Sequence, residues 1–178
     1  DNQTDFSAQY IYLTTIDMNL DNGLGGVVVK NEILLNAIQQ YGKLTAVRHA
    51  NGRDWWVLNH RAYNNVFDRF LVTPTGVQFD GTQAIGVDRP PDGGNVCFSP
   101  DGSKFAYYWG ESDLEVFQFD RCSGLLSQPI FIGIDDTNGG GGVAFSPNSR
   151  YLYVSSVLDV YQYDTEATDI TSSMVHIG

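Results

Sequence analysis

The sequence predicts an all-β fold assembled from repeated four-stranded antiparallel units. Three observations predict it: a block that recurs at a fixed interval, period-two alternation within each block, and turn residues where strands should reverse.

The recurrence comes first. Ile85-Gly86-Val87-Asp88, Gly93-Gly94 and Val96-Cys97-Phe98-Ser99-Pro100 align without gaps on Ile132-Gly133-Ile134-Asp135, Gly140-Gly141 and Val143-Ala144-Phe145-Ser146-Pro147, an offset of 47 from Phe98 to Phe145. Val116-Phe117-Gln118-Phe119-Asp120 answers Val160-Tyr161-Gln162-Tyr163-Asp164 at an offset of 44. A fainter copy sets Val47-Arg48-His49-Ala50-Asn51-Gly52 on Val96 to Asp101, which puts His49 in the slot of Phe98 and Phe145. A period in the upper forties without helical patterning is the length of a β-propeller blade. The expected architecture is therefore a partial ring of about three and a half blades: a half blade over 1–36, then blades over 44–85, 94–132 and 141–178.

The clearest unit has strands expected at 94–98, 104–109, 114–120 and 126–132. Pro100-Asp101-Gly102 supplies the first reversal, with Pro presetting φ and Gly accepting a positive one. Ser123-Gly124 supplies the last. Residues 10–17 and 25–35 read as the last two strands of a blade whose first two are missing. Residues 31–41, with Ile33, Leu34, Leu35 and Ile38, carry the one helical candidate, whose first half is read as outer strand. Trp55-Trp56, Tyr107-Tyr108 and Tyr151/Tyr153 fall on second strands and are expected to be buried on both sides. A half-ring leaves two apolar faces, so the expected partners are the remaining blades, from the same protein or a second chain.

Charge excludes some function classes. A net charge of −11, from 21 Asp+Glu against 10 Lys+Arg, supplies no basic stripe for nucleic acid. It also disfavours anionic membranes, and no segment has the roughly 20 apolar residues of a membrane helix. Asp1 to Asp5 carry neither the basic nor the apolar region of a signal peptide, and the Asn2-Gln3-Thr4 triplet is too short to weigh. Cys97 and Cys122 are expected on an inner strand and a hairpin turn, too far apart to bridge.

Phe98-Ser99-Pro100-Asp101-Gly102-Ser103-Lys104 and Phe145-Ser146-Pro147-Asn148 resemble the "FSPDG" blades of bacterial propellers, a group that includes lactonase-like and surface-layer repeats. Lys43 to Val57, with the block His49-Ala50-Asn51-Gly52-Arg53-Asp54-Trp55-Trp56, resembles more narrowly a set of secreted propellers. Their full-length chains often end in a type IX secretion sorting domain. The resemblance implies a secreted or cell-surface protein and carries no catalytic residues with it.

His49 and His60 fall in one blade and His176 in another, all without metal-ligand spacing, and His49 is expected to be packed, bonding nearby backbone or the Asp54 turn. No G-x-S-x-G elbow or phosphate loop occurs, and the glycines at 139–142 read as a blade connection. Asp88 and Asp135 recur where an outer strand leaves for the next blade. They fit either a ring of calcium-binding carboxylates or Asx turns capping strand ends. On the same face the second-to-third-strand loops carry His60, Arg61 and Tyr63 in one blade and Trp109, Glu111 and Ser112 in another. Aromatics with a few polar groups suit a protein or glycan ligand. The expected function is a non-enzymatic extracellular binding module using His60, Arg61, Tyr63, Asp88, Trp109 and Asp135. It has no cofactor unless calcium binds. The alternatives are a metal-assisted hydrolase or lactonase and a structural subunit of a surface assembly.

Overall fold

The structure is a computed structural model describing residues 7–111, 113–134 and 140–178. Strands β1 (Ser7–Asp17) and β2 (Gly26–Gln40) form a two-stranded sheet. Three four-stranded antiparallel meanders follow. The first holds β3 (Thr45–Arg48), β4 (Trp55–His60), β5 (Asn64–Thr73) and β6 (Gly76–Arg89). The second holds β7 (Asn95–Phe98), β8 (Lys104–Trp109), β9 (Asp113–Asp120) and β10 (Leu125–Ile132). The third holds β11 (Gly142–Phe145), β12 (Tyr151–Ser155), β13 (Val160–Asp164) and β14 (Val175–His176). The first strands β3, β7 and β11 neighbour one another, as the inner strands of a propeller do.

The repeat has a physical basis at two points. A Cβ on Gly94 would collide with the Tyr108 carbonyl oxygen, and one on Gly141 with the Ser155 carbonyl oxygen, so each first strand starts against the end of its second strand. The first turn is also reproduced. Ser99 N donates to Lys104 O at 2.9 Å and Ser146 N to Tyr151 O at 2.7 Å. Lys104 N and Tyr151 N return the bond to the Ser99 and Ser146 hydroxyls, both at 2.9 Å.

That turn corrects the register of the first full blade. His49 N donates to Asp54 O at 2.8 Å, the role of Ser99, so His49 holds the serine slot and Arg48 the slot of Phe98. One residue of slip reverses the faces of a strand. His49 is half-buried, stacks on Trp56, and its Nδ1 accepts from Asn51 N at 3.0 Å. The expected backbone bond is present; the buried aromatic slot is not. Trp56 is buried, but Trp55 is 42% exposed, against the expectation for the pair. Tyr107 and Tyr108 are fully enclosed, whereas Tyr151 and Tyr153 are only half-buried.

Two apolar cores fill the spaces between the meanders. Val47, Trp56, Leu58 and Phe67 meet Val96, Phe105, Tyr107 and Phe117 in one. Tyr108, Leu114, Val116 and Ile132 meet Val143, Leu152, Val154 and Tyr163 in the other. The outer strands run further than expected, β2 to Gln40 and β6 to Arg89, whereas β14 shrinks to two residues after a 3-10 turn at Thr171–Ser173. Both ends of the stack expose apolar side chains: Tyr12, Val27, Val29 and Ile33 on the two-stranded sheet, and Val157, Leu158, Val175 and Ile177 on the last meander. Cys97 and Cys122 are free, the first half-buried and the second exposed.

Candidate functional site

The face carrying the β4–β5 and β8–β9 turns and the connections between meanders is held by polar groups that water does not reach. Pro90 and Pro91 end β6, since neither has an N–H for the ladder. The amide of Gln40, at the end of β2, clamps the connection that follows. Its Nε2 donates to Pro90 O at 2.9 Å and its Oε1 accepts from Asp92 N at 2.7 Å. Asp92 then accepts from Gly94 N at 3.1 Å and from the Tyr107 hydroxyl at 2.6 Å, and pairs with Lys43 Nζ at 2.5 Å.

Two cations approach the Tyr107 ring, the Arg89 guanidinium 4.1 Å and the Lys43 ammonium 4.9 Å from its centroid. Arg89 pairs with Glu115 at 3.3 Å, and both are buried. Burial pushes the Glu115 carboxyl up from its ordinary range while Arg89 pulls it back. Burial likewise lowers the Lys43 ammonium, opposed by Asp92. The Tyr107 phenol is driven up by burial and by Asp92. These charges neutralise one another, so the cluster holds the connections in place.

His60 ends β4 inside this cluster and is 1% exposed. Its ring meets Phe67 at 4.5 Å and Tyr107 at 5.3 Å edge-on, and its Nδ1 has no hydrogen-bond partner among the described residues. Burial, then the charges of Arg89 and Lys43, lower its pKa to about 3. Its imidazole is thus a neutral packing group below the face. Arg61 grips Asp68 of β5 at 2.8 Å. Tyr63 stands 60% exposed in a left-handed turn conformation, φ 65°, its N–H donating to Arg89 O at 2.9 Å. Asp88 lies on β6 and is exposed, and half-buried Trp109 ends β8 beside Gly94. Asp135 and Ser112 lie outside the described residues. The structure therefore places Tyr63, Asp88 and Trp109 around one inter-blade connection, with His60 beneath.

Lys43, Asp92, Arg89 and Glu115 were not legible as a site. The one local signal was charge inside apolar context, as in Leu114-Glu115-Val116. Among the described residues no three His, Cys, Asp or Glu side chains converge to hold a metal ion.

No protein-family model and no curated protein matches the sequence. Solved structures do match. A candidate 6-phosphogluconolactonase from Bacteroides fragilis is 18% identical with a TM-score of 0.61, the match covering 96% of this chain and 48% of that one. Another from Bacteroides uniformis is 16% identical with a TM-score of 0.63, covering 96% and 51%. The Cps50 (Swd1) β-propeller domain of Myceliophteria thermophila is 10% identical with a TM-score of 0.54, covering 93% and 51%. At such identities the likeness establishes architecture alone. The chain has a β-propeller fold and spans about half the length of these neighbours.

Proposed function

We propose that the chain is a non-catalytic binding module, secreted or displayed at a cell surface, that offers the face around Tyr63, Asp88 and Trp109 to a protein or glycan. One observation carries this reading. Lys43, Asp92, Arg89 and Glu115 on this face are buried and mutually paired, whereas exposed Tyr63 and Asp88 and half-exposed Trp109 emerge above them. A rigid floor with aromatic and acidic side chains above it suits recognition. The surface location rests on the likeness of Phe98 to Lys104 and His49 to Trp56 to secreted propellers. The remaining blades, from the same protein or a second chain, are the partners proposed for the exposed apolar ends. No cofactor is part of this reading, and calcium at Asp88 is its alternative.

A second reading is a sugar-lactone hydrolase, favoured by the names of two structural neighbours. Titrating the labelled chain against a glycan panel, with a sugar-lactone hydrolysis assay alongside, separates the two. Binding that Tyr63→Ala and Trp109→Ala abolish, without lactone turnover, supports the module. Turnover with unaltered glycan binding in both variants overturns it.

A further inference from the structure

This chain has about twice as many carboxylates as cations, and seven of the ten cationic side chains have a carboxylate oxygen within 4.0 Å. Among the described residues the exceptions are Lys30, Arg48 and Arg121. Lys30 sits exposed on the two-stranded sheet. Arg48 and Arg121 line the same cleft, of 460 Å³, at the opposite end of the sheets from the face described above.

The cleft runs between the inner strands β3 and β7, with Trp55, Cys97, Phe98 and Pro100 as further walls. Arg48 occupies the slot that the next two blades fill with Phe98 and Phe145. Its guanidinium lies 5.6 Å from the centroid of exposed Trp55, and no carboxylate among the described residues pairs with it. Arg121 is fixed through its main chain, whose carbonyl accepts from the Trp56 indole and from Ala50 N, both at 3.0 Å. Its Nη1 donates to Asp101 O at 2.8 Å, and its remaining donors have no acceptor among the described residues. An acidic surface offers ample carboxylates, yet these two forks are left without one.

We propose that this cleft binds a small monocarboxylate with a planar apolar body, such as an aryl carboxylate. The guanidinium edges accept the carboxylate, and Trp55, Phe98 and Pro100 accept the flat body. A dianion would meet twice the repulsion from the net charge of −11, which is why one carboxylate fits better than a phosphate.

The test is a benzoate titration of the whole chain at physiological ionic strength, following the arginine side-chain Nε–H resonances by NMR. Saturable shifts of Arg48 and Arg121 are expected, with affinity falling about tenfold or more in Arg48→Gln and in Arg121→Gln. Arg53→Gln, which removes a paired arginine outside the cleft, should bind as before. Far-UV circular dichroism checks each fold; should Arg121→Gln unfold, exposed Arg48 alone decides. Absence of saturation, or unchanged affinity in Arg48→Gln, overturns the site. Inorganic phosphate displacing benzoate at equal concentration overturns the monocarboxylate assignment.

Discussion

Lys43 and Asp92 meet at 2.5 Å with neither side chain exposed, and each comes from a different connection between sheets. The pair therefore ties the passage from β2 to β3 to the passage from β6 to β7. Removing one partner of a buried ion pair strands the other charge, at a cost of about 3–5 kcal/mol. Lys43→Met should lower unfolding free energy by that amount in urea denaturation, and Lys43→Met with Asp92→Asn should recover part of it. A double-variant loss equal to the sum of the losses in Lys43→Met and Asp92→Asn alone would show that the two residues are not coupled.

His60 should make stability depend on mild acid. Its folded pKa, about 3, lies below the ordinary value of 6.5. A depressed group contributes stability that is present above the unfolded pKa and lost as pH falls towards the folded one. Between pH 7 and pH 5 the loss should be about 2 kcal/mol, because the unfolded imidazole binds a proton that the enclosed one refuses. Asp54, lowered to about 2 from 3.8, loses its contribution only in stronger acid. Denaturant melts of wild type and His60→Leu across that window check it: the slope should flatten in the variant.

Gly86 makes room for a charge. Its φ is 80°, and a Cβ there would lie 2.5 Å from Glu115 Oε1. Gly86→Ala should cost more than the ~1 kcal/mol of an ordinary left-handed alanine, because the Glu115–Arg89 pair must also move. Gly52→Ala, also left-handed at φ 74° but with open space around its Cβ, should cost only the backbone strain. The difference between their unfolding midpoints measures the displaced carboxylate.

The blades were legible because their signals are local. The second strand expected at 104–109 is β8, Lys104–Trp109, without adjustment, since turn residues and alternation mark both ends. β2 was only half legible. Its pairing with β1 shifts register at four places, and each irregularity breaks strict alternation, so Ile33, Leu34, Leu35 and Ile38 imitate a helical face. The slot of His49 was misplaced because the faint copy lacks the serine that fixes the turn elsewhere. The polar cluster was illegible for another reason: Arg89 lies 26 residues from Glu115, and Asp92 lies 15 from Tyr107 and 52 from Gln40. Such partners meet only once the sheets are stacked.

Calcium at Asp88 is tested by removal. Among the described residues the exposed carboxylate belongs to no group of three His, Cys, Asp or Glu side chains, and calcium takes 6–8 oxygen ligands. Excess EDTA should leave the unfolding midpoint unchanged, and added calcium should raise it by no more than its ionic strength does. A saturable rise that Asp88→Asn removes would establish the ion.

The two apolar ends should make the isolated chain associate. Leu158 is 76% and Ile177 51% exposed at one end, Val27 57% and Tyr12 52% at the other. Burying such side chains is worth about 25 cal/mol per Å², and contiguous patches of this kind mark contact surfaces. Light scattering of the purified chain should give a mass above 19.7 kDa that rises with concentration. Val27→Lys together with Ile177→Lys should return it to a single chain with its circular dichroism preserved, because neither side chain belongs to either core. A monodisperse monomer at all concentrations would mean that the exposed ends do not drive association. A native partner carrying further blades should bind the wild type and fail to bind this double variant.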